Sequence, residues 1–187
     1  MTLDDLIAMS ADELDRAMKG GHPVDPDVLA DREFDGVSLN LPTIVEKLTW
    51  TKFAKVFHRD GSALRGWNCR VVQSPITSPW VLETKGGEPI TYGHYAVVPC
   101  DGYRMPRPYG AGLMLDYGRG GNNALDPAGR ARDPIVAVHE GDSTLLLGWS
   151  YLDLGVTTVA TPSFFALRRG VELSHVVAPP RRVTAAG

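Results

Sequence analysis

Apolar residues near the start of the chain recur at helical spacing: Leu3, Leu6, Ile7, Leu14 and Met18. Ser10 followed by Glu13 is a capping-box pattern that restarts a helix midway, and Gly20 with Gly21 ends it. Asp25-Pro26-Asp27 then opens one short turn through Leu29. Such an amphipathic segment is expected to pack on the outside of the main body, with a lid or a dimer arm as the alternatives. From Glu33 the period changes to two. Strands are predicted over residues 33–40, 64–73, 91–99, 113–118, 135–139, 145–151 and 164–170. In the second of these Trp67, Cys69 and Val71 share one face and Asn68 and Arg70 the other. In the third, Tyr92, His94, Ala96 and Val98 fall together. Residues 42–57 fit either a helix or a strand. Residues 74–89 read as a long loop holding a short apolar piece at Trp80-Val81-Leu82, a length often found in functional lids.

Seven to nine short strands with hairpin-length turns, and almost no helix after residue 60, point to a mainly β protein. Closure into an antiparallel β-barrel is the economical arrangement, because it leaves no exposed sheet edge. The organisation expected is an N-terminal helical appendage over 1–30, a barrel domain over 31–177 and a flexible tail over 178–187. A chain of 187 residues suffices for one such domain with a real core.

Charge and cysteine content narrow the function classes. A formal net charge of −3 argues against general nucleic-acid binding. Lys47, Lys52 and Lys55 do interleave with Trp50, Phe53 and Phe57, a pattern able to bind single strands. A solvated lysine face beside core aromatics is the simpler reading. No run approaches the ~20 apolar residues needed for a membrane span, and the first residues lack the pattern of a secretory signal. A cytoplasmic location follows as the expectation, with Cys69 and Cys100 as reduced thiols.

The stretch Leu113-Met-Leu-Asp-Tyr-Gly-Arg-Gly-Gly-Asn-Asn123 carries the densest chemistry. Glycine and asparagine there mark a specialised backbone path. It is not a phosphate loop, since no lysine followed by serine or threonine closes it and Asp126-Pro127 follows in place of a helix. The third glycine and βαβ setting of a dinucleotide fingerprint are also missing. The five histidines, His22, His58, His94, His139 and His175, form no close pair, and the cysteines no Cys-x-x-Cys, so neither metal nor cofactor is expected. No nucleophile elbow is present.

What remains is a set of polar and aromatic side chains on apolar strands. His94, Tyr117 and Asp116 are the acid–base candidates. Trp67, Asn68, Tyr92, Arg119, Trp149 and Tyr151 are the ligand-contacting ones. For most of them a structural role is the competing reading: a satisfied strand histidine, an Asp116–Arg119 ion pair bracing the glycine turn, Trp149 and Tyr151 as core. Leu113 and Leu115 share Tyr117's face, which is the more apolar, so Tyr117 is predicted to point into the barrel and Asp116 outward.

The order of elements resembles a lipocalin-like (calycin) barrel. The opening helix, Val24-Asp-Pro-Asp-Val-Leu29 and Phe34-Asp-Gly36 are similar to small bacterial barrel proteins of the GXWXG kind, whose Gly-x-Trp-x-Gly signature this sequence lacks. The barrel resemblance implies a hydrophobic central cavity and carries over no catalytic residue. The function expected is a small cofactor-independent enzyme, an isomerase, cyclase or lyase, acting on a hydrophobic small molecule inside a barrel. The alternative is a carrier for such a ligand. A homodimer through the N-terminal helix is the one protein partner the pattern suggests.

Overall fold

The computed structural model describes residues 1–40 and 51–181. Three short helices, α1 (Leu3–Ala8), α2 (Ala11–Lys19) and α3 (Pro26–Leu29), precede the strands β1 (Arg32–Leu39), β2 (Lys52–Asp60) and β3 (Ala63–Arg70). A two-residue hairpin follows, β4 (Thr84–Lys85) with β5 (Glu88–Pro89). Then come β6 (Thr91–Pro99), β7 (Leu113–Asp116), β8 (Ala131–His139), β9 (Asp142–Asp153) and β10 (Thr158–Glu172). Eight strands close into an antiparallel barrel in the order β1-β10-β9-β8-β7-β6-β3-β2. This is the expected architecture, and it is compatible with a lipocalin-like fold. No helix among the described residues is long and apolar enough to cross a membrane.

The helix restart is as the sequence indicates. Ser10 Oγ accepts from the Glu13 amide while Glu13 reaches back to the Ser10 amide at 2.8 Å, so α1 and α2 are separate helices. Their apolar stripes turn onto the outer face of the barrel. Leu6, Leu14 and Met18 join Leu147, Trp149, Phe164 and Ala166 of β9 and β10 in one buried cluster. The next segment enters the wall itself, where His22 exchanges both backbone hydrogen bonds with Ala137 of β8, at 2.9 and 3.0 Å.

The interior is a second cluster, built from rings on strands around the whole circumference. Phe53 meets Phe165, Phe57 meets Phe34 and Tyr95, and Tyr95 meets Tyr117, with centroids 5.3–6.1 Å apart. Room for these rings comes from inward glycines. A Cβ on Gly36 would strike Phe53, one on Gly66 would strike Tyr95, and one on Gly148 would strike Phe165, each at 2.2–2.5 Å. An eight-stranded barrel is just wide enough for side chains to fill it. At this level the barrel is a packed core. Leu29 of α3 and Val24 join the same cluster.

Two covers complete the outside. Trp67, Cys69 and Val71, along β3 and just past its end, share one face as predicted; that face is the outward one, beneath Trp80, Leu82, Leu173 and Val177. The chain beyond β10 is held by Leu173 N–H to Asp31 O, Arg65 to Val177 O, and Arg181 N–H to Gly121 O. The loop before β4 is held by Lys52. Its ammonium donates to Ser74 Oγ, Ser78 O, Pro79 O and Pro75 O at 2.9–3.3 Å and lies 3.9 Å from the centre of the Trp80 ring.

The expectation of a solvated lysine face is therefore overturned. Lys52 is fully buried under the loop and Lys55 is 2% exposed inside the barrel. Residues 52–57 are a strand buried on both faces, so alternation sends one lysine out under a cover and the next one in. Lys47 and Trp50 of that pattern lie outside the described residues. The strands also run longer than predicted at β8, β9 and β10, because pairing with long neighbours extends them beyond their apolar centres.

Candidate functional site

Lys55 follows from the two-residue period of Phe53-x-Lys55-x-Phe57, which puts its amine on the same face as two core rings. Cross-strand register gives it Asn68 as its neighbour on β3. Barrel closure brings Tyr117 and Asp133 from the far side. The Lys55 ammonium has three donors and three acceptors: Asn68 Oδ1 at 2.9 Å, Tyr117 Oη at 2.5 Å and Asp133 Oδ2 at 3.2 Å. Tyr117 in turn donates to Asp133 Oδ2 at 2.8 Å, and Ser150 Oγ donates to Asp133 Oδ1 at 2.5 Å. Asn68 Nδ2 donates to Gly93 O at 3.1 Å and approaches Tyr117 Oη at 3.3 Å. The rings of Phe53, Tyr95, Tyr117 and Phe165 surround the amine, with centroids 5.0–5.8 Å away.

The electrostatics follow from that wrapping. Removal from water holds the Lys55 pKa below the ordinary lysine value, and Asp133 offsets part of the effect. Burial and the Asp133 carboxylate push the Tyr117 phenol well above its ordinary value. The cluster therefore pairs an amine that holds its proton less tightly than an ordinary lysine with a phenol that holds its own more tightly than an ordinary tyrosine. The two are in direct hydrogen-bond contact with a carboxylate, an arrangement suited to moving protons.

Tyr117 points inward as predicted. Asp116 turns outward, where it is 3% exposed. It accepts from Tyr103 Oη at 2.6 Å and from the Gly118 amide at 2.8 Å. Its charge partner is Arg132, with Nε 3.1 Å away though poorly aligned for a hydrogen bond, rather than Arg119. Arg119 is exposed and reaches the Tyr103 hydroxyl.

Tyr92 and His94 do not share a face, contrary to the alternation read from the sequence. Gly93 has φ +53°, and the β3–β6 register shifts between Gly66 and Asn68. This bulge sets two residues opposite one. Tyr92 pairs with inward Asn68 and lies nearer the rim, whereas His94 turns outward against Trp67, with ring centroids 6.0 Å apart. Trp149 and Tyr151 also face outward, stacked 5.7 Å apart in the cluster beneath the helices. Of the nine residues singled out from the sequence, then, the inner cluster unites Asn68 and Tyr117, with Tyr92 above them. His94, Asp116, Trp67, Trp149, Tyr151 and Arg119 lie elsewhere. Lys55, Asp133 and Ser150 were missed. For Lys55 the signal was there, in its alternation with two phenylalanines; Asp133 and Ser150 carried none.

The glycine turn has a structural task. β7 stops at Asp116, and Asn122 continues the pairing along β6 with its side chain. Its Oδ1 accepts from His94 N–H at 2.8 Å, and its Nδ2 donates to His94 O at 2.7 Å and Tyr117 O at 2.8 Å. Gly120 passes so close that a Cβ would sit 1.8 Å from His94 O.

His94 is 4% exposed and its Nδ1 has no hydrogen-bond partner. Burial, and secondarily the charge of Arg65, lower its pKa to about 4. In the unfolded chain a histidine titrates near ~6.5 and there binds the extra proton. Stability is therefore full above that value and falls as pH drops toward 4, by on the order of 2 kcal/mol. Urea unfolding at neutral pH and at mildly acidic pH should show this loss, and His94→Phe should flatten it. An unchanged slope in the variant assigns the effect elsewhere.

Among the described residues no three His, Cys, Asp or Glu side chains gather as a metal site. Comparison of the chain with protein-family models, curated proteins and solved structures gave no match.

Proposed function

We propose that the protein is a small cofactor-independent enzyme that handles a hydrophobic small molecule by proton transfer at Lys55, Tyr117 and Asp133. The observation supporting this reading is a lysine kept inside an aromatic barrel core. A buried ion pair is often no more stable than apolar residues of similar volume, and replacement can gain stability. Retention of charge at this position therefore needs a reason beyond stability, and chemistry is one. Lys55 as the group that gives up and regains a proton, Tyr117 as the hydroxyl that positions it and Asp133 as the carboxylate that balances its charge would suit an isomerase, cyclase or lyase. Tyr92, half-buried and nearer the rim, would be among the first groups a ligand meets. The lipocalin-like resemblance fits the same reading, because such barrels take apolar ligands through one end.

The carrier reading is the second, favoured by the completeness of the network: each Lys55 proton already has an acceptor. Native mass spectrometry of freshly purified protein, followed by incubation with whatever ligand it retains, separates the two. Turnover lost in Lys55→Met/Asp133→Asn with the fold intact is the expected result. Release of an unchanged ligand would establish the carrier instead, and turnover surviving in that variant would remove the cluster from the mechanism.

A further inference from the structure

A groove of about 890 Å³ lies between the β2–β3 turn, β6 and the loop after β7, where Leu64 and Val97 of the interior cluster, and Tyr117 with them, come to its lining. That volume is within the range of small-molecule sites, roughly 300–1,000 Å³. Its floor is apolar, with Leu64, Val97, Val98, Pro99 and Leu113, and its rim carries Arg59, Arg119, Arg130 and Arg181 against a single carboxylate, Asp126.

The charges are unbalanced there. Arg59 is paired with Asp27, and Asp126 Oδ1 is taken by the Ala128 amide at 2.9 Å. Among the described residues no carboxylate lies within ion-pair distance of Arg119, Arg130 or Arg181. On a chain of net charge −3, three guanidinium groups without a carboxylate partner among the described residues, Arg119 reaching only the Tyr103 hydroxyl, form a local reversal of sign around one apolar trough. Arginine is also the side chain whose fork fits carboxylate and phosphate oxygens.

We propose that this groove binds a small amphiphilic anion, an apolar chain or ring system bearing one carboxylate or phosphate. The apolar part lies on Leu64, Val97 and Leu113, and the anionic head reaches Arg119 and Arg130. The inference does not require the chemistry assigned to Lys55, although Tyr117 of that cluster also lines the groove.

Isothermal titration calorimetry of the full chain with decanoate, 1-decanol and inorganic phosphate tests it. Decanoate should bind with one-to-one stoichiometry and weaken with added salt. Arg119→Gln/Arg130→Gln should weaken decanoate by about tenfold or more, the loss expected for a hydrogen bond to a charged group. Decanol should bind more weakly than decanoate and be indifferent to the double substitution. Both arginines are exposed, so the thermal melt should not move. Lys55→Met/Asp133→Asn should retain decanoate binding even where it abolishes turnover, because neither Lys55 nor Asp133 lines the groove, although Tyr117 borders both.

No heat with decanoate, or equal affinity in the arginine variant, overturns the proposal. Inorganic phosphate binding as tightly as decanoate also overturns it, since the apolar floor would then contribute nothing. So does association seen only with phosphatidylglycerol vesicles, which would make the groove part of a membrane-facing surface.

Discussion

Lys55→Met lowers the stability of the protein by about 3–5 kcal/mol, and the added change Asp133→Asn restores most of it. Methionine fills nearly the same space among Phe53, Tyr95, Tyr117 and Phe165. The loss is therefore electrostatic: Asp133, with a side chain only 4% exposed, is left as a buried anion with no counter-charge. Asparagine removes that anion. Its Oδ1 can still accept from one of the two hydroxyls, Tyr117 or Ser150, and its Nδ2 can donate to the oxygen of the other. Chemical denaturation of the two single variants and the double variant gives the coupling directly. Additive losses would mean that the two groups are solvated independently, against the burial seen here. The double variant also makes the functional test clean, because it removes the charges without removing the fold.

The second large effect is at Asn122. Asn122→Ala deprives three buried backbone groups of their partner: the His94 amide, the His94 carbonyl and the Tyr117 carbonyl. At ~1–3 kcal/mol for each unsatisfied buried group, the loss should be about 3 kcal/mol or more. Asn122→Asp should fare no better, since a carboxylate cannot donate to the two carbonyls. Hydrogen exchange at the His94 amide gives a local readout and should speed up in both variants. A variant as stable as the parent, with His94 still protected, would mean that the loop finds another way to close the wall beyond β7.

Alternation of apolar and polar residues was enough to identify most strands, the inward direction of Tyr117 and the shared face of Trp67, Cys69 and Val71, because side chains on a strand must point to opposite sides. That this shared face is the outward one was not legible. The capping box at Ser10 and Glu13 was equally plain, being a contact between residues three apart. The same period carried Lys55 onto the face of Phe53 and Phe57. The usual preference of lysine for water argued against that face, and only the three acceptors assembled by the closed barrel override it.

Three things were decided by tertiary structure alone. The bulge at Gly93 reversed the relation of Tyr92 to His94, since one extra residue flips everything beyond it and a positive φ at one glycine leaves no mark on composition. The choice of Arg132 over Arg119 for Asp116 came from β7–β8 register, which sets Asp116 directly opposite Arg132. The inner cluster itself draws one residue each from β2, β3, β8 and β9 and one from the turn after β7. Separations of 13 to 78 residues link Lys55 to its three partners. No local pattern records such a meeting, because closure of the barrel and the pairing register of its strands fix which side chains face one another.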